Sequence, residues 1–71
     1  MMRPEDLWRL AKEQGLPVKA AYTASQAARL LGVGKMAVYE AVRSGRVKAL
    51  RVGRVRYIPV AELVKLLEGG A

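Results

Sequence analysis

Between Tyr22 and Gly45 the apolar positions recur at helical spacing in two short blocks, interrupted by Gly32-Val33-Gly34. In the first block Ala27, Ala28, Leu30 and Leu31 make one apolar stripe. Thr23 and Gln26 precede it at the spacing of a capping box: the threonine oxygen accepts the amide proton three residues on, and the glutamine side chain reaches back. A helix is therefore predicted to start at Ala24 and to stop at Gly32, where a left-handed residue without a Cβ is favoured. The second block runs from Lys35 to Ser44 and is closed by Gly45. Stepping roughly 100° per residue puts Val38, Ala41 and Val42 on one side. Met36, Glu40 and Arg43 fall opposite, flanked by Lys35, Ala37 and Tyr39. One face suits a core and the other a partner. Two short helices joined by a glycine-containing turn form a helix-turn-helix pattern, whose second helix enters the major groove of DNA. A plain helical hairpin inside another small domain gives the same pattern.

Upstream, Pro4 suits a first helical turn, because the amide proton it lacks has no partner there. Glu5 and Asp6 suit the positive end of the helix dipole. Leu7, Leu10, Ala11 and Gln14 repeat at helical spacing with Trp8 on the edge of their face, and Gly15 supplies a stop. Such a helix either presents a partner surface around Trp8 or docks on its own domain to enlarge a small core. Leu16-Pro17-Val18 reads as an extended connector.

Beyond Gly45 the period changes. Arg46 to Ile58 mixes β-branched with basic residues, which predicts a two-stranded hairpin with Val52-Gly53-Arg54-Val55 at its tip. Pro59, unable to donate to a ladder, ends the second strand. A last helix starts over Pro59-Val60-Ala61-Glu62, with Val60, Leu63, Leu66 and Leu67 as its apolar stripe and Gly69-Gly70 as its end. The chain thus divides into an N-terminal helix and connector (1–19), a helix, turn, helix, hairpin, helix unit (20–68) and a frayed tail (69–71).

At 71 residues the chain is one domain at most. With no cysteine and no histidine, disulfides, cysteine-ligated zinc and the usual general base are excluded, so neither an enzyme nor a bound cofactor or metal is expected. No apolar run approaches the ~20 residues that span a bilayer and no leader opens the chain, so a soluble cytoplasmic protein without a membrane partner is expected. The net charge of +7 predicts affinity for polyanions. Its distribution is uneven: residues 1–34 sum to +2, residues 35–56 to +6 and residues 57–71 to −1. The excess lies on the second helix and the hairpin behind it.

In this order the residues resemble the excisionase-type branch of the MerR-like winged helix-turn-helix domains. The resemblance is carried by Thr23 with Gln26-Ala27-Ala28, Leu30-Leu31-Gly32-Val33, Val38-Tyr39, Arg43-Ser44-Gly45, Arg51-Val52-Gly53-Arg54, Ile58-Pro59 and Leu63. It implies a mainly α fold with a small β-hairpin, a winged helix-turn-helix with an extra N-terminal helix. It further implies that helix 35–44 lies in the major groove through Lys35, Met36, Tyr39, Glu40 and Arg43. The hairpin 46–58 would act as a wing on the sugar-phosphate backbone through Lys48, Arg51, Arg54 and Arg56. Two positions depart from the family pattern. Gly34 stands where a capping hydroxyl is usual, and Glu40 where a base is common, so that Glu40 either accepts from a cytosine amino group or pairs with Arg43 or Lys35. The implied partner is double-stranded DNA, with further copies of the chain and a recombinase or the transcription machinery beside it. A bare domain of this kind suits an excisionase-like architectural factor or a small transcriptional regulator. The rival classes are a phage DNA-packaging protein resembling a small terminase subunit, and a protein-interaction module without nucleic acid.

Overall fold

The computed structural model describes residues 2–68. In chain order the elements are α1 (Pro4–Glu13), β1 (Ala21–Thr23), α2 (Ala24–Leu31), α3 (Lys35–Arg43), β2 (Leu50–Val52), β3 (Val55–Pro59) and α4 (Val60–Leu67). The helix-turn-helix is α2 and α3, and the three strands form one antiparallel sheet ordered β1-β3-β2.

Local chemistry starts each helix where the sequence placed it. Asp6 Oδ2 accepts the Arg3 backbone N–H at 2.9 Å ahead of Pro4. Both halves of the capping box form at α2: Gln26 N–H donates to Thr23 Oγ1 and Thr23 N–H to Gln26 Oε1, each at 3.2 Å. Gly32 takes φ 72°, the left-handed conformation that releases the chain into the turn. Gly34 caps α3 through its backbone alone, accepting the Ala37 N–H at 3.1 Å.

The N-terminal helix docks on its own domain. Leu7 and Ala11 are fully buried, and α1 packs against α4 and α2. Trp8 is half-buried, and its Nε1–H donates to the Lys19 carbonyl at 2.9 Å, tying the helix to the connector. The Tyr22 hydroxyl donates to the Pro17 carbonyl at 2.6 Å and secures the same connector from the other end.

Two expectations are corrected in the sheet. The wing is part of a three-stranded sheet, because Ala21-Tyr22-Thr23 pairs with β3 in the register Tyr22↔Ile58. Three residues are too short to show a period of two, yet Tyr22 and Ile58 are fully buried and fasten the wing to the helices. The hairpin strands are also shorter than 46–58, since β2 begins only at Leu50 and residues 44–49 form a turn-rich linker. Val47 is in that linker and almost fully buried, so it serves the core and not a ladder. The tip is as predicted, a two-residue loop closed by Val52↔Val55. Gly53 has φ 62° and Arg54 a negative φ, the signs of a type II′ turn, which follows the right-handed twist of the strands.

Pro59 ends β3 and caps α4, whose first amide, Val60 N–H, donates to the Ala20 carbonyl at 2.9 Å. Val64 joins Val60 and Leu63 in the core, while Leu66 and Leu67 are half-buried. The Gly69-Gly70 stop and the frayed tail 69–71 lie outside the described residues. No helix among the described residues is long and apolar enough to cross a membrane.

Candidate nucleic-acid interface

On α3 the buried side chains are Val38 and Ala41, which seat the helix on the core. Lys35, Met36, Glu40 and Arg43 are exposed on the other side, with Tyr39 half-buried at its margin. Met36 is 66% exposed, a long apolar side chain held out from a helix that has a core available.

The wing turns its arginines toward this helix by strand register. Arg51 and Arg56 are directly opposite across β2 and β3, one pair in from the tip. Because Val52↔Val55 closes a two-residue loop, the Arg51↔Arg56 pair is of the non-hydrogen-bonded kind, in which side chains approach most closely. A period of two places both on the face that carries Tyr22 and Ile58 further along, the face that packs on the helices. Leu50 and Val52 alternate to the outer face, where they are 59% and 63% exposed. Like charges opposed across a ladder cost about 0.2–1 kcal/mol, so the arginine pair is a local expense to the free protein.

Between wing and helix lies an open groove of about 750 Å³. Met36, Tyr39, Val42 and Arg43 line it from α3, Arg51, Arg54, Val55 and Arg56 from the wing, and Thr23, Ala24 and Ser25 from the amino end of α2. Among the described residues, four arginines and no acidic side chain are in this lining. A concave surface walled by one sign of charge concentrates the positive potential, and the amino end of α2 adds the positive pole of a helix dipole.

Of the residues expected at an interface, Met36, Tyr39, Arg43, Arg51, Arg54 and Arg56 are thus brought together. Lys35 and Glu40 stay on the exposed surface of α3 outside the groove lining. Lys48 is apart from it, its backbone N–H held by Glu62 Oε1 at 3.0 Å on α4. Glu40 Oε2 pairs with Arg43 Nη1 at 3.3 Å, both side chains more than half exposed. The amino end of α2, Thr23, Ala24 and Ser25, also lines the groove, although the residues expected at an interface lie only on the second helix and the hairpin. The capping box marks that end in the sequence, but only the pairing of Tyr22 with Ile58 brings it beside the wing. Among the described residues no three His, Cys, Asp or Glu side chains are grouped to hold a metal ion.

Fold and groove together define a winged helix-turn-helix protein. The family described as helix-turn-helix domain matches residues 21–71, from β1 through the wing and α4. The chain belongs to that family, as its resemblance to the excisionase-type branch anticipated. It is 41% identical over 44 residues to a probable excisionase of Saccharopolyspora erythraea, a match covering 62% of this chain and 45% of the relative. The chain therefore spans less than half the length of that relative. No solved structure matches it.

Proposed function

We propose that the protein binds double-stranded DNA at specific sites, with α3 in the major groove and the hairpin wing on the sugar-phosphate backbone. It acts as an excisionase-like architectural factor or as a small transcriptional regulator, in the cytoplasm and without a bound cofactor. The observation that carries this reading is the groove itself: an exposed helix face, a helix amino end and three wing arginines meet there, with no acidic side chain among the described residues of the lining.

The division of labour follows from chemistry. Arg43 can place two parallel N–H donors on a guanine edge, while Met36 offers apolar contact to a thymine methyl. Tyr39 donates its hydroxyl to a phosphate, and Lys35 approaches the backbone at the start of α3. Arg51, Arg54 and Arg56 neutralise phosphates and release counterions, which supplies sequence-independent affinity; Lys48 adds to the same field from the base of the wing. Glu40 holds Arg43 in the free protein and on DNA either releases it to a guanine or accepts from a cytosine amino group. One such domain reads few base pairs, so adjacent copies, or a recombinase or transcription complex bound alongside, complete the specificity.

Fluorescence anisotropy on duplex DNA at two salt concentrations tests the reading. The logarithm of affinity should fall with the logarithm of salt at a slope of about 0.9 per neutralised phosphate. Binding that is absent, or insensitive to salt, sinks the proposal. Reversing the charge of Arg51 and Arg54 together should abolish binding; a protein-interaction module would keep its partner after that change.

A further inference from the structure

The linker from α3 to the wing sets how the arginines face the reading helix, and it contains no helix or strand from Ser44 to Ala49. Its first half is tied to α3. Arg46 N–H and Val47 N–H both donate to the Ala41 carbonyl, at 3.0 and 3.2 Å, and the Val47 side chain is buried. Its second half is tied elsewhere, since Lys48 N–H donates to Glu62 Oε1 in the first turn of α4. Two residues later β2 begins, an edge strand with three paired residues. The other carboxylate oxygen of Glu62 accepts from Lys65 Nζ at 3.2 Å, and the Glu62 side chain is only 14% exposed. The carboxylate is thus held from both sides, and one of its two contacts joins segments 14 residues apart.

We infer that Glu62 is a positioning residue for DNA binding: its carboxylate clamps the base of the wing to α4 and so aims Arg51 and Arg56 across the groove at α3. This rests on the DNA-binding reading above. An ordinary surface ion pair within a helix would need only Lys65. The bond to a backbone amide in another segment is what gives Glu62 leverage over the wing, because Lys48 has no ladder partner among the described residues.

An acidic residue that assists binding to a polyanion makes an unusual prediction about sign. Glu62→Ala and Glu62→Gln each raise the net charge from +7 to +8. If Glu62 acted only through charge, both variants would bind DNA more tightly than the parent, and equally. As a clamp, it predicts that Glu62→Ala binds on the order of tenfold more weakly, with the salt slope reduced by about 1 to 2 as wing phosphates are lost. Glu62→Gln, whose amide oxygen still accepts the Lys48 N–H, should stay near the parent in both. Lys65→Ala should keep the slope, because the Lys48 bond survives.

The experiment measures salt-dependent anisotropy of the full chain on one duplex, with thermal unfolding and hydrogen exchange at the Lys48 amide in parallel. A variant that is merely less stable loses apparent affinity without changing its slope. Faster Lys48 exchange together with a shallower slope in Glu62→Ala, both recovered in Glu62→Gln, supports the inference. If Glu62→Ala does not fold, Glu62→Asp keeps the charge but draws the oxygen back by one methylene, and it should show the same shallower slope. An unchanged slope in whichever of these variants folds, with the parent binding steeply, overturns the inference and leaves the DNA reading standing. A parent that does not bind DNA overturns both.

Discussion

Arg43 and Arg54 separate the two kinds of work expected at the interface. Arg43 is on the exposed side of α3 and is already oriented by Glu40, an exposed pair worth about 0.2–1 kcal/mol to the fold at most. Arg43→Ala should cost about 1–3 kcal/mol of discrimination at one base pair and little stability, measured by anisotropy on single-base variants of a selected site. Arg54→Ala, at the wing tip, should weaken binding to all sequences alike and lower the salt slope by about 1. Glu62 adds a pH dependence. The Lys48 backbone amide, then the Lys65 ammonium, hold its carboxyl below the ordinary 4.5. Its contribution is complete above that value and is lost as pH falls through the lower folded-state value. Thermal unfolding followed from neutral to acid pH should therefore show stability declining below about pH 4.5, and Glu62→Ala should decline less over that interval.

At the scale of the elements, helix ends and the wing tip carry the local stability. Thr23→Ala removes the acceptor for the Gln26 amide and should cost about 1 kcal/mol in denaturant unfolding. Gly53→Ala meets no neighbouring atom, so its penalty comes only from the left-handed backbone, about 1–2 kcal/mol. That cost falls on a ladder of three residue pairs, so circular dichroism and DNA binding should both register a loosened wing. The α2 capping box is legible in sequence because it needs only residues three apart. The tip is equally legible, as glycine between two β-branched stretches. The short strand β1 is not, since it spans only three residues, its Thr23 also marks the cap of α2, and the pairing partner of Tyr22, Ile58, is 36 positions away.

Over the whole molecule, one small core holds α1, the sheet and the three remaining helices together. Leu7 belongs to that core although it lies outside the helix-turn-helix, so Leu7→Ala should destabilise the entire domain by about 2–5 kcal/mol in equilibrium unfolding. Against the stability usual for a domain, that is a large share, and DNA binding should fail on warming well before the parent's does. Four of the seven basic side chains of residues 35–56 come together in the groove lining only when the chain folds, while Lys35, Arg46 and Lys48 stay outside it.

The sequence alone determined the four helices, the capping box and glycine stop of α2, the turn between α2 and α3, the hairpin tip and the two-sided character of α3, because capping and periodicity act between residues a few positions apart. It also pointed to the arginines that line the groove. Only the tertiary structure decided that Trp8 and α1 close onto the domain, that β1 anchors the wing, and that Lys48 is held by α4 while the amino end of α2 joins the groove. Those outcomes depend on contacts between distant segments, whose register is chosen by what the shared core can bury together.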